Sequence, residues 1–311
     1  MKLLSNRYKI IAFAICLFTL TGAETGDNAG YAGAFLRMGL GARSLAMGNS
    51  GVADSENGFA AYYNPAGLSY LKDRHLSLTY YFLSLDRQLH YVGLALPLKP
   101  SAGISVAWMH AGVTDIQGRT STGLPDETYE TGENVIFLSF SNAFHRRISV
   151  GLNFKILNHS LLGLTGSGLG FDLGILLKPF ERVTLGILFK DMGASYTWNT
   201  HDLFGEQGGN YTEVFPQILK IGLAYRHDQG FCFSGDFEIS DKQDYRAHFG
   251  GEYLVGDILY LRMGIDNENP TFGLGLAYGF LNNIRTQIDY SALIGLVGEG
   301  STHVFSWEFK F

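Results

Sequence analysis

Asp236 and Glu238 stand two residues apart in the stretch Phe231 to Ile239. Residues i and i+2 share one face of a strand, and two carboxylates on one face are material for general acid–base work. Inward-facing strand surfaces of membrane barrels carry such pairs routinely, so the spacing alone assigns no acid–base role. Asp266-Asn267-Glu268-Asn269-Pro270 offers oxygen donors of the kind calcium takes. It lacks the twelve-residue loop pattern and reads equally well as a turn. The nine His are scattered, with no two at metal-ligand spacing on one face. Gly39-Leu40-Gly41 begins like a phosphate loop, but Ser44 occupies the place of the third glycine, no Lys follows and no βαβ unit surrounds it. Close packing against a wall is the better reading of those glycines. No G-x-S-x-G elbow occurs. A Ser and a His brought together across strands would leave no trace here. The residues therefore point to no catalytic group, no cofactor and no metal, and to a protein that is not an enzyme.

The elements that must hold these residues read as strands. In the last stretch, Phe305, Trp307, Phe309 and Phe311 alternate with Val304, Ser306, Glu308 and Lys310. Period 2 puts four aromatic rings on one face and mostly polar groups on the other. A closing strand with its apolar face outward is the pattern of a membrane β-barrel, in which this strand serves membrane insertion. The chain carries 23 Phe, 17 Tyr and 40 Gly among 311 residues, a load suited to many strands and tight turns.

The same alternation recurs from His75 onward. It predicts strands near 75–83, 88–98, 102–110, 133–143, 147–159, 167–178, 181–190, 216–226, 230–240, 244–254, 257–266, 270–280, 283–292 and 302–311. That is about fourteen, each near the roughly 9–11 residues that cross a bilayer at a tilt. In one, Phe272, Leu274, Leu276, Tyr278 and Phe280 oppose Gly273, Gly275, Ala277 and Gly279. Gly168, Gly170 and Gly174 repeat the pattern. A bare inward face implies that something packs against the wall from inside. Residues 34–71, rich in Gly, Ala and Met and without sustained alternation, are the expected occupant. Asp54-Ser55-Glu56 reads as a helix start, Phe59 to Tyr63 as a short helix, and Asn64-Pro65-Ala66-Gly67-Leu68 as the turn ending it. Tyr80, Tyr81, Trp108, Tyr278 and Trp307 read as interface girdle anchors.

With the N-terminus on the periplasmic side, the two longest gaps, 111–132 and 191–215, follow the third and seventh strands and fall outside. The connections expected inside, such as Lys99-Pro100-Ser101, His145-Arg146 and Asn282, are short. The expected organisation is a signal peptide over 1–23, a hatch segment over 24–71 and a barrel over 72–311. Lys2, Arg7 and Lys9 precede the apolar run Ile10 to Leu20, and Thr21-Gly22-Ala23 offers a cleavage site. Removing 1–23 moves the formal charge from -6 to -9, which gives no reason to expect nucleic acid as a partner. Only Cys232 then remains, so no intrachain disulfide is available. The sum is an all-β transmembrane antiparallel β-barrel of about fourteen strands with an N-terminal hatch or plug, placed in the outer membrane of a Gram-negative-type bacterium.

Residues 34–71 also carry a family likeness. Phe35-Leu36-Arg37-Met38-Gly39, then Gly41-Ala42-Arg43-Ser44-Leu45-Ala46-Met47-Gly48, then Tyr62-Tyr63-Asn64-Pro65-Ala66-Gly67-Leu68 resemble the start of the PorV/PorQ family. That family resembles the long-chain fatty-acid transporter (FadL-like) barrels. The resemblance implies a role in protein secretion or surface attachment of the type IX kind, with secreted proteins or secretion-system components as partners beside outer-membrane lipid. The alternative is FadL-like passive transport of hydrophobic small molecules, which would then be ligands. The motif residues Gly41, Arg43, Met47, Gly48, Asn64, Pro65, Ala66, Gly67 and Leu68 are the expected hatch site, structural or gating.

Overall fold

The computed structural model describes residues 30–280, 284–294 and 300–311. The signal peptide expected at 1–23 and the turn expected at Asn282 lie outside the described residues. So do the side chains of Asp202, Phe204 and Phe280.

The wall opens with β1 (His75–Phe82), β2 (Arg87–Leu98), β3 (Ala102–Arg119) and β4 (Pro125–His145). β5 (Ile148–Leu161), β6 (Leu164–Phe180) and β7 (Val183–Met192) follow. A short hairpin, β8 (Ser195–Asn199) and β9 (Asn210–Val214), interrupts the series. The wall resumes with β10 (Ile218–Arg226), β11 (Phe231–Ser240), β12 (Arg246–Val255) and β13 (Leu259–Asp266). It ends with β14 (Asn269–Phe280), β15 (Ile284–Ile294) and β16 (Ser301–Lys310). Neighbours pair antiparallel throughout. β7 skips the hairpin and pairs with β10, Ile187 opposite Ile221. β16 returns to β1, Trp307 opposite Leu78. With β8 and β9 set aside, the sixteen-stranded sheet is a closed wall of fourteen, as the alternation predicts.

The two faces follow the period. On β16, Phe305 and Trp307 are exposed, while Thr302, Val304, Ser306 and Glu308 are buried. On β14, Phe272, Leu274, Leu276 and Tyr278 are exposed. Among the described residues no second layer covers these rings. An uncovered apolar surface running round the whole wall is far larger than water tolerates, and it matches a barrel facing lipid. Among the described residues no helix is long and apolar enough to cross a membrane.

Three readings of the strands and gaps need correction here. The gap 111–132 is mostly strand: β3 and β4 run on together to a turn at 120–124, because paired strands keep satisfying each other's backbone groups beyond the bilayer. The gap 191–215 holds the β8–β9 hairpin. Tyr81 is no girdle anchor. Tyr80 faces out, so period 2 turns Tyr81 in, where it is buried and donates to the Gly39 carbonyl at 3.0 Å.

The inward face meets the N-terminal segment. Short helical turns at Ala34–Arg37, Ala42–Ala46, Ala60–Tyr63 and Pro65–Tyr70 are almost wholly buried. Where the segment touches, the wall is glycine. A Cβ at Gly250 would lie 2.4 Å from the Met47 backbone, and one at Gly264 would lie 2.2 Å from the Gly48 nitrogen. Gly151 and Gly186 likewise admit Ala66 and Val52. Backbone can lie on backbone only where Cβ is missing. The bare face of β6 has a different occupant. Gly166, Gly168 and Gly170 face Trp198, Ser195 and Ala194, so β8 folds over them, while Gly174 faces Asn64.

Candidate functional site: an anchored lumenal segment beside a cleft in the wall

Arg43, on the turn Ala42–Ala46, reaches the wall. Its Nε and Nη2 donate to the two carboxylate oxygens of Glu252 on β12, both at 2.9 Å. Nη2 also lies 2.8 Å from Asp54. Asp54 pairs in turn with Arg226 of β10, and Arg262 of β13 links Glu252 at 2.6 Å to Asp289 of β15 at 2.7 Å. Three cations and three carboxylates thus alternate from wall to segment to wall. Fork-shaped guanidinium–carboxylate contacts of this kind fix geometry as well as charge. Burial alone would raise the Asp54 carboxyl, but Arg226 and Arg43 outweigh it and hold it well below the usual carboxylate range. This is why Asp54-Ser55-Glu56 starts no helix: the Asp54 side chain is spent on the two arginines.

Backbone groups of the segment are held the same way. Asp236 accepts from the Gly51 and Val52 amides at 2.7 and 3.0 Å. Glu308 accepts from the Gly58 amide at 2.8 Å and pairs with His75 at 2.5 Å. Asp236 and Glu238, the suggestive carboxylate pair, have separate tasks, since Glu238 pairs with Lys220 at 2.5 Å. Asp266 of the oxygen-rich turn lies 2.8 Å from His248. Among the described residues no three His, Cys, Asp or Glu are grouped as metal ligands.

The motif residues are spread along this anchorage. Asn64 caps the turn Pro65–Tyr70 by accepting from the Ala66 amide at 3.1 Å, and its Nδ2 donates to Val52 at 2.9 Å and to Ile175 of the wall at 3.2 Å. Pro65 begins that second turn as well as ending the first. The Ala66 carbonyl accepts from Ser149 Oγ at 2.9 Å. Gly67 is required because the Ser55 carbonyl sits 2.1 Å from where its Cβ would be. Leu68 is buried with Ala60, Leu71 and Ala95. Gly48 has φ +68 and abuts the carbonyls of Ile265 and Phe249. Met47 is buried beside it. Gly41, with φ +73, faces Phe59 of its own segment and not the wall. The closing strand brings Phe305 and Trp307 to the outer face, with Phe309 half-buried and Phe311 exposed just beyond the strand end.

One place in the wall is different. Met192 lies opposite Phe171 and Phe189 opposite Leu173, so Lys190 and Asp191 together face the single Asp172. This is a β-bulge, and it turns two consecutive side chains inward. Both are buried. Lys155 pairs with Asp172 at 2.5 Å and also with Asp191. Lys190 is left to the segment: its Nζ donates to the Leu36 carbonyl at 2.7 Å and stands 4.1 Å over the Tyr62 ring. Beyond Met192 the chain leaves the wall for the hairpin, and β10 begins only at Ile218. The ends of β7, β10 and β11 carry an open surface cleft of about 320 Å³, where Ile218 stays paired with both Lys190 and Ser240 and where Met192, Gln217 and Asp241 complete the lining. Phe189, Leu219 and Ile239 line it from the outward set, and Lys190, Ile218 and Ser240 from the inward set. Through Lys190 its lining touches an apolar cluster joining Phe35, Leu36 and Tyr62 to Tyr196, Trp198 and Phe215. No motif in the sequence marks this cleft. Its only trace there is the consecutive charged pair Lys190-Asp191, which breaks the alternation.

No family model matches the chain, and no curated protein matches it by sequence. Solved structures do. The Pseudomonas putida toluene transporter TodX matches with a TM-score of 0.61 at 15% identity, covering 88% of this chain and 98% of that one. The Ralstonia pickettii toluene transporter TbuX matches at 0.59 and 15%, with 88% and 98% covered. A Pseudomonas aeruginosa FadL homologue matches at 0.61 and 13%, with 87% and 98% covered. These likenesses support the FadL-like half of the resemblance and lend nothing to the PorV/PorQ half. At such identities the likeness is one of architecture: the chain has the barrel fold of these FadL-type transporters.

Proposed function

We propose that this protein is a non-enzymatic outer-membrane channel for the passive passage of small hydrophobic molecules. The observation that carries the reading is the cleft, whose lining passes from the lipid-facing set of the wall to the lumen-facing set beside the segment. An apolar solute entering the lumen could leave sideways through it into the hydrocarbon layer without crossing water. The described neighbours that are toluene transporters support this reading over secretion. In it, the segment is a hatch of two parts. Residues 42–71 are clamped by Arg43, Asp54, Asn64 and the wall carboxylates. Residues 33–40 are held by hydrogen bonds from Lys190 and from the hydroxyls of Tyr62, Tyr63 and Tyr81 rather than by wall carboxylates, and in this reading they are the part that moves.

The test is uptake. Cells lacking the chain are complemented with the wild type or with Ser240→Trp, which fills the cleft. Entry of labelled toluene and of labelled oleate is followed at matched amounts of folded barrel. The reading expects complementation by the wild type and loss of most of it in Ser240→Trp. Equal uptake by deletion and complemented cells for both solutes would overturn it. Loss of surface proteins from the deletion strain with uptake intact would favour secretion.

A further inference from the structure

The short turns at one end of the barrel carry cations at the lip of the apolar surface. The β4–β5 turn places Arg146 and Arg147 between Phe144 and Ile148, and Phe144 is 73% exposed. Both phenylalanine and isoleucine belong to the outward set of their strands, continuing Phe140 and Leu152. The adjacent β2–β3 turn places Lys99 directly after the exposed Leu98. The two turns touch, because the Ala143 amide donates to the Ser101 carbonyl at 2.7 Å.

Depth follows from this spacing. Phe144 and Ile148 face hydrocarbon, and the turn between them is only a few ångströms deep. Arg146 and Arg147 must then lie at the level of the lipid phosphates, where long cationic side chains settle. Lys99, Arg146 and Arg147 have no carboxylate within ion-pair distance among the described residues, unlike Lys178, Arg182 and Arg285, which pair with Glu56, Asp228 and Asp73. No acidic residue stands in either turn.

We propose that these two turns form a binding site for the headgroup of an anionic phospholipid in the inner leaflet. Lys99, Arg146 and Arg147 hold the phosphate, and Phe144 and Ile148 lie along the acyl chains. The assignment to the inner leaflet rests on the short turns being periplasmic. It is independent of what the channel carries.

The experiment uses the purified full barrel in bilayer nanodiscs of phosphatidylcholine with one-third phosphatidylglycerol. Lipids retained on transfer to detergent are counted by native mass spectrometry. The wild type should retain phosphatidylglycerol in preference. Each cation near an anionic surface is worth roughly a factor of five, so K99Q/R146Q/R147Q should lose the preference by about tenfold or more. R182Q, whose arginine is already paired, should keep it. Equal retention of the two lipids by the wild type, or an unchanged preference in the triple variant, would overturn the proposal. A parallel series with lipid A distinguishes leaflets: tighter retention of lipid A than of phosphatidylglycerol would overturn the inner-leaflet assignment. Heat-modified mobility on gels confirms that each variant is a folded barrel, and K99R/R146K/R147K should restore the preference if any loss is electrostatic.

Discussion

Arg43 and Glu252, 209 residues apart in the chain, meet through two parallel hydrogen bonds of 2.9 Å. They join the lumenal segment to the wall at the centre of an alternating charge array. Removing one member of a buried pair strands the other charge, at a typical cost of 3–5 kcal/mol. Here Glu252 keeps Arg262 and Asp54 keeps Arg226, so Arg43→Met should cost somewhat less, about 3 kcal/mol. Denaturant titration of segment proteolysis against barrel gel mobility separates the two. The segment should become cleavable while the barrel stays closed.

The same array gives a pH dependence. The folded Asp54 carboxyl lies below its unfolded value, so its stabilisation is fully present above the unfolded pKa, about 4, and is lost as pH falls through the folded pKa. The amide protection within residues 42–58 that Asp54→Asn removes should therefore be constant from neutral pH down to about 4 after correction for intrinsic rates, and should shrink below it. Asp54→Asn should exchange faster at neutral pH and show a shallower acid dependence.

Gly48 combines a left-handed φ of +68 with carbonyls 2.3 and 2.4 Å from its would-be Cβ. Overpacking against backbone costs about 1–3 kcal/mol, and the φ adds to it. Gly48→Ala should weaken segment docking by at least about 2 kcal/mol. Gly279, with open space around it, is the control, and Gly279→Ala should stay within about 0.5 kcal/mol. Urea protection of the segment reads both.

Lys190→Met removes the bond to the Leu36 carbonyl while keeping the volume of the side chain. A single hydrogen bond from a charged group is worth about 1.5–3 kcal/mol. Exchange of the amides of residues 34–37 should speed up by about tenfold or more, with little change at 60–66. Equal acceleration along the whole segment would show that it moves as one piece.

The wall was legible because its signal is local: period 2 runs through the wall strands apart from bulges such as that at Lys190-Asp191, as in Phe305 and Trp307 against Ser306 and Glu308. The glycines of β14 and β6 announced an inner occupant, but composition could not tell the segment from the β8–β9 hairpin, whose five-residue strands carry too few alternations. The motif runs drew attention to Arg43 and Asn64, yet Arg43's partner Glu252 is a matter of closure, not spacing. The cleft was illegible for a related reason. It arises from a bulge at Lys190-Asp191 and from unequal strand lengths, and both are properties of pairing between chains of residues far apart.

The account rests on the cleft between Lys190 and Ser240 as a way through the wall for an apolar solute. The most direct measurement is crystallographic: grow the wild type with 4-bromotoluene and collect at the bromine edge. The account predicts an anomalous peak among Phe189, Ile218, Leu219 and Ile239, absent in Ser240→Trp. An empty cleft in crystals of a protein that still carries toluene into cells would contradict it.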